Sequence, residues 1–159
     1  MRCALVLCSR QMRAAASLDE FFRAPDGRYF LGRRHLVFQH SPTLIGHASW
    51  GRPNADDVRE MFHACTIGLR DDAEPHCWLA DLRGLEFIDA STFGPSLAYV
   101  TANAPVLKKK ILRQAQLRPA GVVGAIISGF SAVARLAYPE RPTKPSSGCA
   151  STRTSGVNW

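Results

Sequence analysis

The side chains best suited to chemistry lie in one polar cluster, Asp89-Ala90-Ser91-Thr92. It follows the apolar run from Cys77 to Leu82, a polar Arg83-Gly84 turn and a second apolar stretch, a pattern that predicts a buried strand, a loop and a helix start. Loops at the carboxyl ends of parallel strands commonly carry function. A hydroxyl there could take a phosphate, which the free amides of a helix start favour and the neighbouring aspartate disfavours. The alternative is a simple helix cap.

Other reactive side chains have spacings that do not favour a catalytic or metal site. His63 and Cys65 would point to different faces of a helix, and His76 and Cys77 to opposite faces of a strand. A cysteine on an apolar face stays protonated and behaves as a small hydrophobe. The glycines at 121, 124 and 129 match neither a phosphate-binding loop nor a dinucleotide fingerprint. We therefore expect no metal, no cofactor and no enzymatic activity.

The charge is unevenly spread along the chain. The formal charge is +7, yet residues 54–89 hold nine acidic residues against three basic ones. The clearest basic cluster is Lys108-Lys109-Lys110 with Arg113 and Arg118, and it has neither interleaved aromatic residues nor a recognition-helix pattern. We expect a solvated strand edge there rather than direct contact with nucleic acid.

Five cysteines, an odd number with no Cys-x-x-Cys pair, indicate free thiols in a reducing compartment. The apolar run near the N-terminus is too short for a signal peptide and is followed by Arg10 and Arg13. No stretch approaches the roughly 20 apolar residues of a membrane span. The sequence therefore predicts a cytoplasmic protein that does not bind membranes.

The 159 residues, 46% of them apolar, suit a single domain with an ordinary core. Its most secure helix begins after Asn54, a good N-cap, with Asp56 and Asp57 in the first turn. The pattern predicts a hairpin, then helix, strand, helix, strand and helix, with the second helix ending near Pro105 and the next strand spanning Ile111 to Leu117. This order predicts an α/β domain, a small mixed sheet with helices packed against it.

The two ends of the chain lack this pattern. Residues 1–28 are expected to be a loosely ordered N-terminal segment, although Ser17 could cap a short helix carrying Phe21 and Phe22. Residues 29–138 form the predicted domain. Residues 139–159 are rich in proline, serine and threonine without apolar periodicity, so a disordered, protease-sensitive tail is expected. Without a terminal helix over the sheet, an uncovered apolar patch would favour a homo-oligomer.

The run Trp78-Leu79-Ala80-Asp81-Leu82, followed by Leu85-Glu86-Phe87-Ile88-Asp89-Ala90-Ser91, resembles the central signature of STAS domains, the fold of anti-sigma-factor antagonists. In that signature a strand ends in Asp-Leu and leads to Phe-Ile-Asp-Ser-Ser-Gly, whose second serine is phosphorylated. The resemblance implies that Ser91 is the phosphorylated switch residue, supported by Asp81, Asp89 and Thr92. Here Ala90 and Thr92 replace the motif's first serine and its glycine. The implied function is a non-enzymatic regulatory protein-interaction module of transcription control, whose partner is an anti-sigma-factor-like kinase or a regulator subunit.

Pro95 departs from the signature, since a proline there has no amide for the Ser91 carbonyl. The alternative to a helix start at the polar cluster is a helix that begins at Pro95 and leaves Ser91 in a turn. The stretch from Arg113 to Phe130 also resembles STAS-like N-terminal domains of AraC-family transcriptional regulators. A helix-turn-helix module follows in those proteins, and nothing here resembles one, as in a truncated or frame-shifted relative. The alternative function is thus a small-ligand sensor domain of an AraC-like regulator that has lost its DNA-binding module, with an apolar pocket between sheet and helices.

Overall fold

The computed structural model describes residues 11–88 and 90–136, with residues 130–136 by backbone only. One six-stranded sheet is described, and its spatial order follows the chain from β1 to β6. The strands are β1 Arg13–Ala14, β2 Arg28–Leu31, β3 His35–Ser41, β4 Leu44–Gly51, β5 His76–Leu85 and β6 Ile111–Leu117. The helices are α1 Leu18–Arg23, α2 Ala55–Cys65, α3 Ala90–Lys110 and α4 Gly121–Leu136, with a 3₁₀ helix over Thr66–Leu69.

The sheet is mixed, as the sequence predicts. β2, β3 and β4 are antiparallel neighbours, and the predicted hairpin is formed by β3 and β4. β5 lies parallel to β4, and β6 lies parallel to β5. α2 connects the first parallel pair and α3 the second. The fold is therefore a small single α/β domain with helices packed against a mixed sheet, which confirms the predicted fold class.

The core lies between the sheet and its helices. Both parallel connections carry the chain across the sheet in the same direction, and such connections are right-handed, so α2 and α3 belong on one face. α2 packs against β3, β4 and α3. The buried cluster at this seam contains Phe21, Val37, Ile45, Met61, Ala64, Cys65, Ile67, Trp78 and Ala80.

The capped helix predicted after Asn54 is confirmed as α2. The Asn54 side chain accepts hydrogen bonds from the amides of Asp56 and Asp57, and the Asp57 carboxylate accepts one from the Asn54 amide. This reciprocal capping box satisfies amides that a helix start leaves free. Arg33, between β2 and β3, donates two bonds to the same Asp57 carboxylate, so the helix start is joined to the sheet.

The N-terminal region departs from the expected loose segment over the residues that the structure describes. Ser17 caps α1, as predicted, by accepting the Glu20 amide at 3.1 Å. Phe21 is fully buried in the core. The expectation for residues 1–28 is therefore corrected for the part from β1 to β2, because burial of a phenylalanine anchors α1 to the domain. Residues 1–10 and the expected disordered tail, 139–159, lie outside the described residues.

The predicted turn at Arg83-Gly84 is wrong, because β5 continues through both residues to Leu85. Gly84 pairs with Trp50 of β4 after a register shift. A Cβ at Gly84 would lie 2.9 Å from the Trp50 Cβ, so glycine is needed for close approach of the two strands rather than for a turn.

The helix start predicted at the polar cluster is confirmed, whereas the alternative start at Pro95 and the predicted end near Pro105 are wrong. α3 begins at Ala90, five residues before Pro95, and continues past Pro105 to Lys110. The lysine run thus forms the last turn of the helix, where basic residues complement the helix dipole, and β6 starts directly after it. The prolines interrupt the amide ladder without ending the helix, since packing against α2 and β6 fixes its course.

Candidate functional site

Ser91 lies in the first turn of α3, immediately after the connection from β5. Its side chain is exposed. The carboxyl end of β5 and the start of α3 therefore meet at the sheet edge where the sequence places its candidate chemistry. The first turn of a helix carries the positive end of the helix dipole, which suits an added phosphate.

Thr92, the next residue, has a different environment. It is 3% exposed, whereas Ser91 is exposed, because successive helical residues point in directions about 100° apart. Thr92 also contacts the next turn, since its carbonyl accepts a 2.8 Å bond from the Ser96 hydroxyl. Asp89, the third member of the predicted cluster, lies outside the described residues. Of residues 91 and 92, it is Ser91 that is exposed.

Pro95 lies within the helix that carries Ser91. Because proline has no amide hydrogen, it cannot donate the regular helical bond to the Ser91 carbonyl. The helix nevertheless includes residue 91, so Ser91 has helical geometry rather than the turn that Pro95 predicts. The first turn of α3 combines an exposed hydroxyl with an interrupted amide ladder.

Asp81 is paired within its own strand. Its two carboxylate oxygens accept bonds of 2.9 and 2.7 Å from the guanidinium of Arg83. These bonds, together with the Arg83 amide, keep the pKa of Asp81 below its usual value, and partial burial opposes them. Asp81 is therefore an ionised carboxylate that orients Arg83, in keeping with a supporting role at the carboxyl end of β5.

A cavity of about 450 Å³ lies at the carboxyl ends of β5 and β6. Arg83 lines it from β5, and Arg118 lines it from the segment after β6, where it contacts the hydroxyl of Ser128 in α4. Gly124 is required at this wall, since a Cβ there would lie 2.0 Å from the Pro119 carbonyl oxygen. The remaining lining residues are Gln116, Leu117, Gly121 and Pro119. The cavity is open and carries two guanidinium groups, unlike the apolar pocket expected of a small-ligand sensor.

Three buried histidines lie away from this edge, and the sequence did not single out His35 or His47. His35 is 1% exposed and His47 is 7% exposed, on neighbouring strands β3 and β4. Burial, and to a smaller extent nearby His35, lowers the pKa of His47 from 6.5 to about 4 against an opposing effect of Asp81. Burial also lowers the pKa of His35, and of His76 in β5. They are neutral aromatic components of the core at neutral pH. On β4, His47 follows the buried Ile45 at two-residue spacing, the signal that could have placed it inside, whereas β3 is buried continuously from His35 to Phe38.

The cysteines and histidines considered for metal binding are dispersed. Cys65 is fully buried in the core, and burial raises the pKa of its thiol. His63 is exposed on α2, whereas His76 is buried on β5 and Cys77 is half-buried beside it. Within residues 11–88 and 90–136, no three His, Cys, Asp or Glu side chains lie together in an arrangement that could hold a metal ion.

In the part of the chain that the structure describes, no helix has both the length and the apolar character needed to cross a membrane. Comparison with known proteins found no matching family model, no similar curated protein and no similar solved structure.

Proposed function

We propose that this protein is a non-enzymatic, STAS-like protein-interaction module of transcription control, in which the exposed Ser91 is a phosphorylation switch. The observation that carries the proposal is the position of Ser91: it is exposed, it lies in the first turn of α3, and a short connection joins that turn to β5, the strand that contains Asp81 and Leu82. The implied partner is an anti-sigma-factor-like kinase or a regulator subunit.

The charge of the segment from Ala90 to Leu136 gives the switch its direction. From Ala90 to Leu136 the chain contains six basic residues and no acidic one. A phosphate would add about 1.5 to 2 negative charges at the start of this basic segment. It would also enlarge a surface that must fit a partner closely. We therefore expect phosphorylation to weaken a complex that the unmodified form makes.

The test uses a purified anti-sigma-type kinase as the candidate partner. With ATP, the wild-type protein should gain the mass of one phosphoryl group, and Ser91→Ala should not. Ser91→Asp should weaken binding at least about tenfold, equivalent to roughly 1.4 kcal/mol, while Ser91→Ala binds as wild type.

Thr101→Asp is the matched control. It is exposed on the same helix, nearly three turns further along, and it adds the same charge. Equal weakening by the two aspartate variants would mean a general charge effect, and unchanged binding by Ser91→Asp would refute the switch. If Ser91→Ala instead lowers stability by about 1 kcal/mol with binding unchanged, Ser91 is a capping residue.

A further inference from the structure

The outer edge of β6 ends the sheet in the described part of the chain. The strand order terminates at β6, which pairs with β5 on its inner side. In a parallel ladder every second residue directs its amide and carbonyl toward the neighbour, so the intervening groups of β6 point away from the sheet. An edge strand of this kind is a template for pairing with another chain.

The edge is regular over five residues. The register passes from the His76–Ile111 pair to the Cys77–Arg113 pair, which leaves Leu112 as a bulge, and it is continuous from there to Leu117. Leu112 is 59% exposed and Leu117 is 38% exposed, so apolar side chains stand at both ends of the regular stretch. The bulge at Leu112 disrupts strand pairing at one end of this edge and leaves Arg113–Leu117 able to pair with another strand.

The charged residues of the last turn of α3, of β6 and of the segment just after it are all basic. Lys109 in the last turn of α3 is exposed, as are Arg113 in β6 and Arg118 after it. Lys110 is buried instead, with its ammonium bonded to the carbonyls of Asp71 and Ala73. The segment from 90 to 136 has no acidic residue to neutralise them within its own sequence, and residues 137–159 contain one acidic residue against three basic ones.

We propose that the β6 edge binds an extended acidic segment of a partner protein by strand addition. Main-chain bonds to Arg113–Leu117 supply affinity, and alternate side chains supply register. An acidic side chain opposite Arg113 and apolar ones opposite Ala115 and Leu117 fit that face of the sheet. A second acidic group can reach the cavity beside Leu117, where Arg83 and Arg118 are present.

Basic edges disfavour a second copy of this chain, because pairing β6 with β6 would bring like charges together. The same charges attract an acidic strand, so the partner is identified by its chemistry. This inference rests on the proposed function only in requiring a protein partner, since it concerns β6 and not Ser91.

The test uses a fluorescein-labelled heptapeptide, Thr-Glu-Thr-Val-Thr-Val-Glu, with the full-length protein, because one face of this strand carries a glutamate followed by two valines. Binding measured by anisotropy should weaken with salt, and the same peptide with lysine in place of glutamate should not bind. Two further glutamate peptides are N-methylated at alternate amides, in opposite registers. Strand addition predicts that one of them loses binding and the other keeps it, whereas equal binding by both overturns it.

Lys109→Gln with Arg113→Gln should weaken peptide binding about three- to tenfold, as expected for two exposed charge pairs. Arg13→Gln is the matched control, since Arg13 is an exposed base on β1, at the opposite edge of the sheet. Equal effects of the two changes would overturn the assignment to β6. So would tighter binding of a single-stranded oligonucleotide of equal charge, or sedimentation showing a dimer that excludes the peptide.

Failure here is separable from failure of the switch. If peptide binding is absent while Ser91→Asp still weakens the kinase complex, the β6 proposal falls and the proposed function stands. If the peptide binds and the kinase neither binds nor modifies Ser91, the reverse holds.

Discussion

Asp57 joins the start of α2 to the loop between β2 and β3, and removing its carboxylate should be among the costlier single changes in the domain. The carboxylate accepts the Asn54 amide at 2.8 Å and the Arg33 guanidinium at 2.9 and 2.7 Å. Its residue is 5% exposed, so water replaces these bonds poorly. Asp57→Ala leaves the Asn54 amide without its acceptor and detaches Arg33 from the helix.

The expected loss follows from two contributions. Loss of a helix-capping interaction costs about 1 kcal/mol, and hydrogen bonds to a charged group contribute about 1.5 to 3 kcal/mol. Because the Arg33 side chain is 63% exposed, its guanidinium regains water, and we place the total near the lower end, at about 2 to 3 kcal/mol. For a domain of this size the melting temperature should fall by roughly 10 °C.

Urea unfolding followed by circular dichroism measures this loss, and Asp56→Ala is the control. Asp56 is in the same first turn, but its side chain is 86% exposed and contacts Arg59 only at the surface. Its removal should cost less than about 0.5 kcal/mol. Equal losses for the two variants would show that the helix dipole, which both carboxylates share, outweighs the buried contacts of Asp57.

The stability difference between wild type and Asp57→Ala should also depend on pH. Burial raises the pKa of Asp57, but the hydrogen bonds from Arg33 and Asn54 lower it by more than burial raises it. The pKa in the folded protein therefore lies below 3.8. A carboxylate whose folded pKa is depressed stabilises the protein above the unfolded pKa and loses that contribution as pH falls through the folded value. The gap between wild type and Asp57→Ala should therefore narrow only below about pH 4. A gap that already closes at pH 6 would contradict this assignment.

Three further predictions concern the sheet and α3. Stability should fall by up to about 3 kcal/mol as pH drops from about 6.5 to about 4, because burial lowers the pKa of His47 to about 4 and the unfolded chain takes up the proton first. Thermal melts should show a flatter pH profile for His47→Gln than for His63→Gln, an exposed control. Gly46→Ala should prevent folding, since its Cβ would lie 2.3 Å from the Leu79 carbonyl oxygen. Gly94→Ala has open space and should add about 1 kcal/mol of stability, measured by urea unfolding.

Local patterns predicted the elements whose causes are local. Asn54, Asp56 and Asp57 predict α2 because the capping side chain and the amides that it accepts from lie within three residues. Ser17 predicts α1 for the same reason. The exposed position of Ser91 also follows from local sequence, since it begins a helix directly after a buried strand. These patterns did not predict that α1 is anchored to the domain core, because the anchor, Phe21, packs against strands and helices far along the chain.

Long-range packing overturned the local signals elsewhere. Two prolines predict breaks in α3, yet contacts with α2 and β6 hold one continuous helix. Gly84 predicts a turn, but it is needed because Trp50 on the neighbouring strand comes close. The sequence did not predict the cavity, because Arg83 and Arg118 belong to different segments and line one cavity only when β5 and β6 pair.

Strand order converts the charge pattern of the sequence into a spatial one. Since the sheet order follows the chain, the acidic block of residues 54–89 occupies α2 and β5, and the block without acids occupies α3, β6 and α4. Ser91 stands near the boundary between the two. On the proposed function, a phosphate there would lower the charge of the second block from +6 to about +4. Interactions between exposed charges fade beyond about 10 Å at 0.1 M salt. This change would therefore act on a partner bound at the α3 start more strongly than on one held near Arg113, at the amino end of β6, because β5 and β6 are parallel and α3 starts at their carboxyl ends. Peptide binding at β6 should consequently respond to Ser91→Asp less than kinase binding does, and a larger response at β6 would place the two surfaces closer together than the sheet order indicates.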